Sequence, residues 1–170
     1  MDAQELKAVQ APLKQQYRDE PATASITLHA QGSLTEGISC SVETGKALVK
    51  AGLHPATGGD GSSACSGDML LQALAACAGV TLRSVATARG IELRGGTVYA
   101  DGDLDFRGTL GVDPSAPVGF SDIRLRFELD TDASEDQISY LLATTERYCV
   151  VLQTLRAAPP VEASAVRAQS

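Results

Sequence analysis

Aromatic residues are scarce in this sequence, which has no Trp and only 4% Phe and Tyr. Its core must therefore be filled by Leu, Val, Ile and Ala, and the abundance of small residues favours close helix packing, helped by an extensive subunit contact. Histidine is nearly absent too. His29 and His54 stand alone in no HxxxH or HExxH arrangement, and the cysteines lack the short paired spacings of a zinc site, so neither a metal nor another cofactor is expected. Positive charge is also in short supply. With 14 Lys and Arg against 21 Asp and Glu, the net charge is −7, which argues against nucleic acid or an anionic membrane surface as partner. The first twenty residues hold no apolar run of signal-peptide length, and no later segment reads as a continuous membrane span. A cytoplasmic location is the expectation, and in that reducing setting any disulfide is transient and chemical rather than a permanent staple.

What is present is enough apolar material, 44% of 170 residues, for one domain with its own core. Residues 1–24 read as a charged lead-in, 25–162 as the domain and 163–170 as a tail. "ASITLHA" and "GISCSVET" carry strand-forming residues on either side of "QGSLTEG", which predicts a hairpin with a long loop from about Ile26 to Thr44. "GKALVKAGL" continues the sheet or wraps over it. The turn-rich stretch 54–67, "HPATGGDGSSACSG", predicts an ordered loop leading into a helix with Ser66 as N-cap and Asp68 in its first turn. That helix is apolar up to Arg83. Leu70, Leu74, Cys77, Thr81 and Ser84 share one face, and Met69, Leu71, Ala73 and Val80 widen it, so the helix is expected to be central and buried.

Two strands follow, clearest in the alternation Ile123, Leu125, Phe127, Leu129, which gives a sheet with one wet face. A second helix is capped by Asp132 or Ser134 and carries the stripe Ile138, Leu141, Leu142, Thr145, Tyr148. Whether it runs unbroken to Arg156 is open from periodicity alone. The tail beyond Pro159 and Pro160 ends in a strand or frays. Hairpin, helix, strands, helices is an α+β order.

Each of the four cysteines, Cys40, Cys65, Cys77 and Cys149, is by default a small buried hydrophobe. Two of them sit in longer motifs. "CSGDMLLQALAACAGVTL" resembles the central-helix motif of the OsmC/Ohr family (osmotically inducible and organic hydroperoxide resistance proteins). "ERYCVVLQTL" resembles that family's second cysteine motif, and "DGDLDFRGTLGV" between them fits in type and order. The likeness spans about residues 25 to 160. It implies an α+β fold with antiparallel sheets packed around a central buried helix, and an intertwined homodimer. It further implies a redox pair near the subunit interface, Cys77 attacking an organic hydroperoxide and Cys149 resolving the product.

By that likeness Cys77 forms a sulfenic acid, Cys149 condenses with it to a disulfide, and a dithiol reductant reopens the bond. The two cysteines are 72 residues apart (149 − 77), so only the fold can join them. Where the hydroperoxide reductases carry a Gly-Gly-Arg turn, this chain has "GSLTEG", with Leu34 or Thr35 in place of the arginine. Arg147 and Arg83 are the candidate substitutes, each also readable as a solvated charge. Asp68 matches the acidic position of the OsmC-like branch and Glu146 an acidic position of the second motif, and both read equally well as surface carboxylates. Val150 replaces the usual proline after the second cysteine. The alternative to catalysis is a dimer of the same fold that binds a small apolar or electrophilic ligand near Cys77.

Overall fold

The structure, a computed structural model, describes residues 2–5, 8, 10–11, 19, 32–35, 39–43, 48–111 and 113–167. At the chain start Asp2 and Glu5 each accept the other's backbone N–H, at 2.8 and 2.9 Å, which opens the helical lead-in. A four-stranded sheet follows. It comprises β1 (Gly32–Thr35), β2 (Ser39–Glu43), β3 (Leu48–Gly52) and β4 (Ala64–Cys65), in spatial order 1-2-3-4. The first three run antiparallel, while β4 joins β3 in parallel, because the turn-rich stretch between them returns the chain to the same end. The expected long loop "QGSLTEG" thus contains a strand of its own, β1. The strand expected at "ASITLHA" lies outside the described residues.

In that returning stretch His54 caps a 3₁₀ turn at Pro55–Thr57, and Asp60 accepts both the backbone N–H and the hydroxyl of Ser62. The His54 ring also stacks on Phe106, 5.0 Å between centroids.

Helix α1 (Ser66–Arg89) is the longest element. Cys65, not Ser66, is its N-cap and offers no side-chain bond. At the other end Gly90, in the left-handed region at φ 66°, donates its N–H to Ala86 and Thr87, and a Cβ there would oppose the turn. Leu74, Ala78, Leu82 and Ala86 are buried, a strict four-residue spacing that makes one narrow stripe. The rest of the helix is less covered than expected, with Val80 68% exposed. By length and composition alone α1 is apolar enough to cross a membrane, contrary to the expectation that no segment approaches such a span. Its stripe nevertheless packs against protein, namely the strand at Gly95–Leu104 and the helices at Glu135–Tyr148 and Val150–Arg156.

The second sheet pairs β5 (Gly95–Leu104) with β6 (Phe120–Asp130) antiparallel, from Gly95 opposite Asp130 to Leu104 opposite Phe120. The ring of Phe120 occupies the space a Cβ on Gly102 would need, 2.6 Å away. Ile123, Leu125, Phe127 and Leu129 turn inward and Arg124, Arg126, Glu128 and Asp130 outward, as the alternation predicts. The stretch "DFRGTL" forms a short helix, α2 (Phe106–Thr109), where Asp105 accepts the Arg107 N–H at 3.0 Å.

Helix α3 (Glu135–Tyr148) starts at Ser134, which exchanges bonds with Gln137 in a capping box. Leu141 and Thr145 of its expected stripe are fully buried, whereas Tyr148 is 60% exposed. The chain then breaks. Cys149 adopts an extended conformation, φ −72° and ψ 106°, ending α3 and opening α4 (Val150–Arg156). Two core clusters result. One joins Leu74, Ala78, Cys149 and Leu152, with Cys77 packed against them; the other joins Leu82, Ala86 and Leu141. Residues 157–167 carry no regular element and end exposed, so no strand forms there in the single chain.

Candidate functional site

The break at Cys149 positions the site. Had the helix continued to Arg156, the backbone N–H groups at 150–152 would be spent on carbonyls one turn back. Because Cys149 is extended, those N–H groups are free to face the thiols. Beside the half-buried Cys77 sulfur stand the N–H groups of Val151 and Val150, the Cys149 thiol and the Thr81 hydroxyl, each of which favours its charged form. Burial is the largest single influence and raises the Cys77 pKa, but the four donors together outweigh it, so the thiol lies below its ordinary value. Thr81 is held one turn beyond, its hydroxyl donating to the Cys77 carbonyl at 2.8 Å.

Cys149 is fully buried, and its pKa is shifted the other way. Burial is the main cause and the Leu152 N–H opposes it; the neighbouring Cys77 thiol and its charge raise the pKa further, and the Val151 N–H lowers it slightly. Of the two thiols, Cys77 is the more readily ionised and Cys149 the less so.

The other residues singled out in the sequence stand elsewhere. Arg83 donates to the Leu93 carbonyl at 2.8 Å, and the Arg147 guanidinium lies 5.4 Å from the Tyr148 ring centre. Glu146 pairs with Arg156 at 2.9 Å and lines a cavity of about 380 Å³ with Leu74, Leu125, Phe127, Leu152 and Leu155. Asp68 is exposed in the first turn of α1, more than two turns from Cys77. None of the four donates to or accepts from the Cys77 thiol. Cys65 caps α1, 12 residues before Cys77 (77 − 65), and the side chain of Cys40 is outside what the structure describes. No group of three or more His, Cys, Asp or Glu suited to a metal occurs among the described residues.

The residue that sequence reasoning placed only in an apolar stripe is Thr145, one turn before Cys149 and fully buried. Thr81 went unassigned as well. The signal for each was present, a hydroxyl at four-residue spacing from a cysteine in a helix.

A thiol at the start of a short helix, packed against a second thiol on a long apolar helix, matches what the sequence motifs carry. The sequence profile of the OsmC-like protein family matches residues 59–164. This chain belongs to that family. Among solved structures it is similar to an OsmC-like protein from Mycoplasma pneumoniae, with 20% identity, TM-score 0.66, and coverage of 79% of this chain and 90% of that one. A protein from Legionella pneumophila described as an organic hydroperoxide resistance protein OsmC, predicted redox protein and regulator of sulfide bond formation shares 18% identity, TM-score 0.61, covering 78% and 90%. An organic hydroperoxide resistance protein from Elizabethkingia anophelis, with thiocyanate bound, shares 16% identity, TM-score 0.62, covering 79% and 91%. No curated protein sequence is detectably similar. At these identities the likeness establishes an OsmC/Ohr-like α+β fold of small sheets and helices.

Proposed function

We propose that this OsmC-like protein is a thiol-dependent peroxidase for organic hydroperoxides, acting as a cytoplasmic homodimer. The observation that carries the reading is the packing of Cys77 against buried Cys149 inside one apolar cluster, where each thiol shifts the other's pKa. The Cys77 thiolate attacks the terminal oxygen of the hydroperoxide, the O–O bond breaks, and the alcohol leaves with a proton, which gives a sulfenic acid after protonation. Cys149 then attacks the Cys77 sulfur, the S–O bond breaks and water departs. A dithiol reductant restores the pair by exchange. Apolar walls formed by Leu74, Ala78 and Leu152 suit an organic hydroperoxide better than hydrogen peroxide.

Exposed apolar side chains flank both cysteines, Val80 at 68%, Tyr148 at 60% and Val150 at 71%, and a second copy covering them would enclose the thiols. The test is to give the reduced protein one equivalent of organic hydroperoxide and map the cysteines by peptide mass spectrometry. A fast, dithiol-reversible Cys77–Cys149 link is expected, and Cys77→Ser should abolish it. Peroxide persisting beside two free thiols would overturn the reading.

One observation favours the alternative, a binding module for a small apolar or electrophilic ligand: among the described residues the groups that lower the Cys77 pKa are all neutral, so none of them supplies a cation to polarise a peroxide. Saturable ligand binding that survives replacement of both cysteines would decide for it.

A further inference from the structure

Thr145 is fully buried, and its hydroxyl has no hydrogen-bond partner, the one such side chain among the described residues. A helical Thr or Ser ordinarily turns its hydroxyl back to the carbonyl one turn earlier. Thr81 does so to Cys77 at 2.8 Å and Ser84 to Val80 at 2.9 Å. Thr145 does not, although an unpaired buried hydroxyl destabilises the resting fold and a valine of the same shape would not.

Its position in the helix puts it one turn before Cys149. The Cys149 N–H donates to the Thr145 carbonyl at 2.9 Å, so the two residues stand one above the other on one helix face. Side chains lean toward the helix start, which lays the Cys149 thiol over the turn of Thr145. In the resting structure the Leu152 and Val151 N–H groups are the donors beside that sulfur, and the Thr145 hydroxyl is not bonded to it. We infer that the Thr145 hydroxyl is a hydrogen-bond donor held for the Cys149 sulfur while that sulfur carries negative charge, during its attack on Cys77.

This role rests on the peroxidase reading for its oxidant, the organic hydroperoxide that has converted Cys77 to a sulfenic acid. As the Cys149 S–H bond breaks and the S–S bond forms, the S–O bond of the sulfenic acid breaks, and the thiol proton leaves with the hydroxide as water. Charge builds on a fully buried sulfur with no cation among its described contacts. A donor left unpaired in the ground state and engaged only as that charge appears lowers the barrier, because its bond is not already present in the reactant.

The experiment uses the full chain with Cys40→Ser and Cys65→Ser, and dithiobis(nitrobenzoate) as probe. Cys77, the half-buried thiol, reacts first and releases one coloured thiolate; Cys149 then displaces the second and closes the disulfide. Thr145→Val is expected to leave the first release unchanged and slow the second about tenfold, the loss of one hydrogen bond to a charged atom. Thr145→Ser should restore it to within about twofold, and the thermal midpoint of Thr145→Val should hold or rise. A second release equally fast in Thr145→Val, or none in the unsubstituted chain, overturns the inference. A slowed second release in a protein whose Cys77 ignores hydroperoxide would overturn the peroxidase reading alone, whereas a disulfide formed at equal rates with either reagent would remove only the role of Thr145.

Discussion

The outer face of the β5–β6 sheet and the thiol cluster beneath it are built from opposite materials. Outside, Arg124 bridges Asp103 and Asp122, Arg126 pairs with Glu128 while lying over the Tyr99 ring, and Arg94 clamps Asp130 and Asp132. Inside, Cys77 and Cys149 are held by backbone N–H groups, a hydroxyl and each other. The numerous charged contacts stand in water, which screens them; the few neutral ones are buried, where an unmet group is costly. Counting interactions would rank the sheet face first. Physical weight ranks the cluster first.

The sharpest break of that ranking is in the core. Leu141→Ala, at a fully buried position packed with Leu82 and Ala86, is expected to cost about 2–5 kcal/mol, seen as a lower denaturant midpoint. A smaller effect separates the two thiols. Cys77 is held below the ordinary thiol value, 9.0, and Cys149 above it. Between the folded Cys77 pKa and 9.0 the unfolded chain binds the extra proton, so stability rises with pH. Above 9.0 the folded Cys149 keeps its proton longer than the unfolded one, so stability falls. Denaturation across this range should show a rise and then a fall in the unsubstituted protein. In Cys77→Ala the rise should vanish, and its persistence would mean that Cys77 is not the perturbed thiol. Smallest of all is Arg124→Met on the outer face, for which no resolvable change in midpoint is expected; a clear loss would show that the ion pairs carry the sheet after all.

Much of this arrangement was legible in the sequence. The alternation from Ile123 to Leu129 marked β6 as having one wet face, and Asp132 or Ser134 bracketed the start of α3, which Ser134 takes, because both signals are local. The two cysteine motifs pointed to Cys77 and Cys149, though nothing in their spacing could bring them together. Three features escaped for physical reasons. β1 hides in a run of Gly, Ser and Thr, where pairing with β2, not propensity, makes the strand. The break at Cys149 has no proline or glycine to announce it, since Val150 can continue a helix as readily as begin one. And the covered stripe of α1 is narrower than its apolar face, because composition records what can be buried and not how much one chain buries.

Cys149 closes one helix, opens the next and touches a third element through Cys77. A covalent bond at that point would close a loop between two cysteines 72 positions apart (149 − 77), and in chain-entropy terms a loop of this length removes about 4 kcal/mol of freedom from the unfolded ensemble. Oxidised and reduced forms would then differ in how readily they are opened to proteases as much as in chemistry, and the state of two sulfur atoms would be recorded in the lifetime of the whole chain.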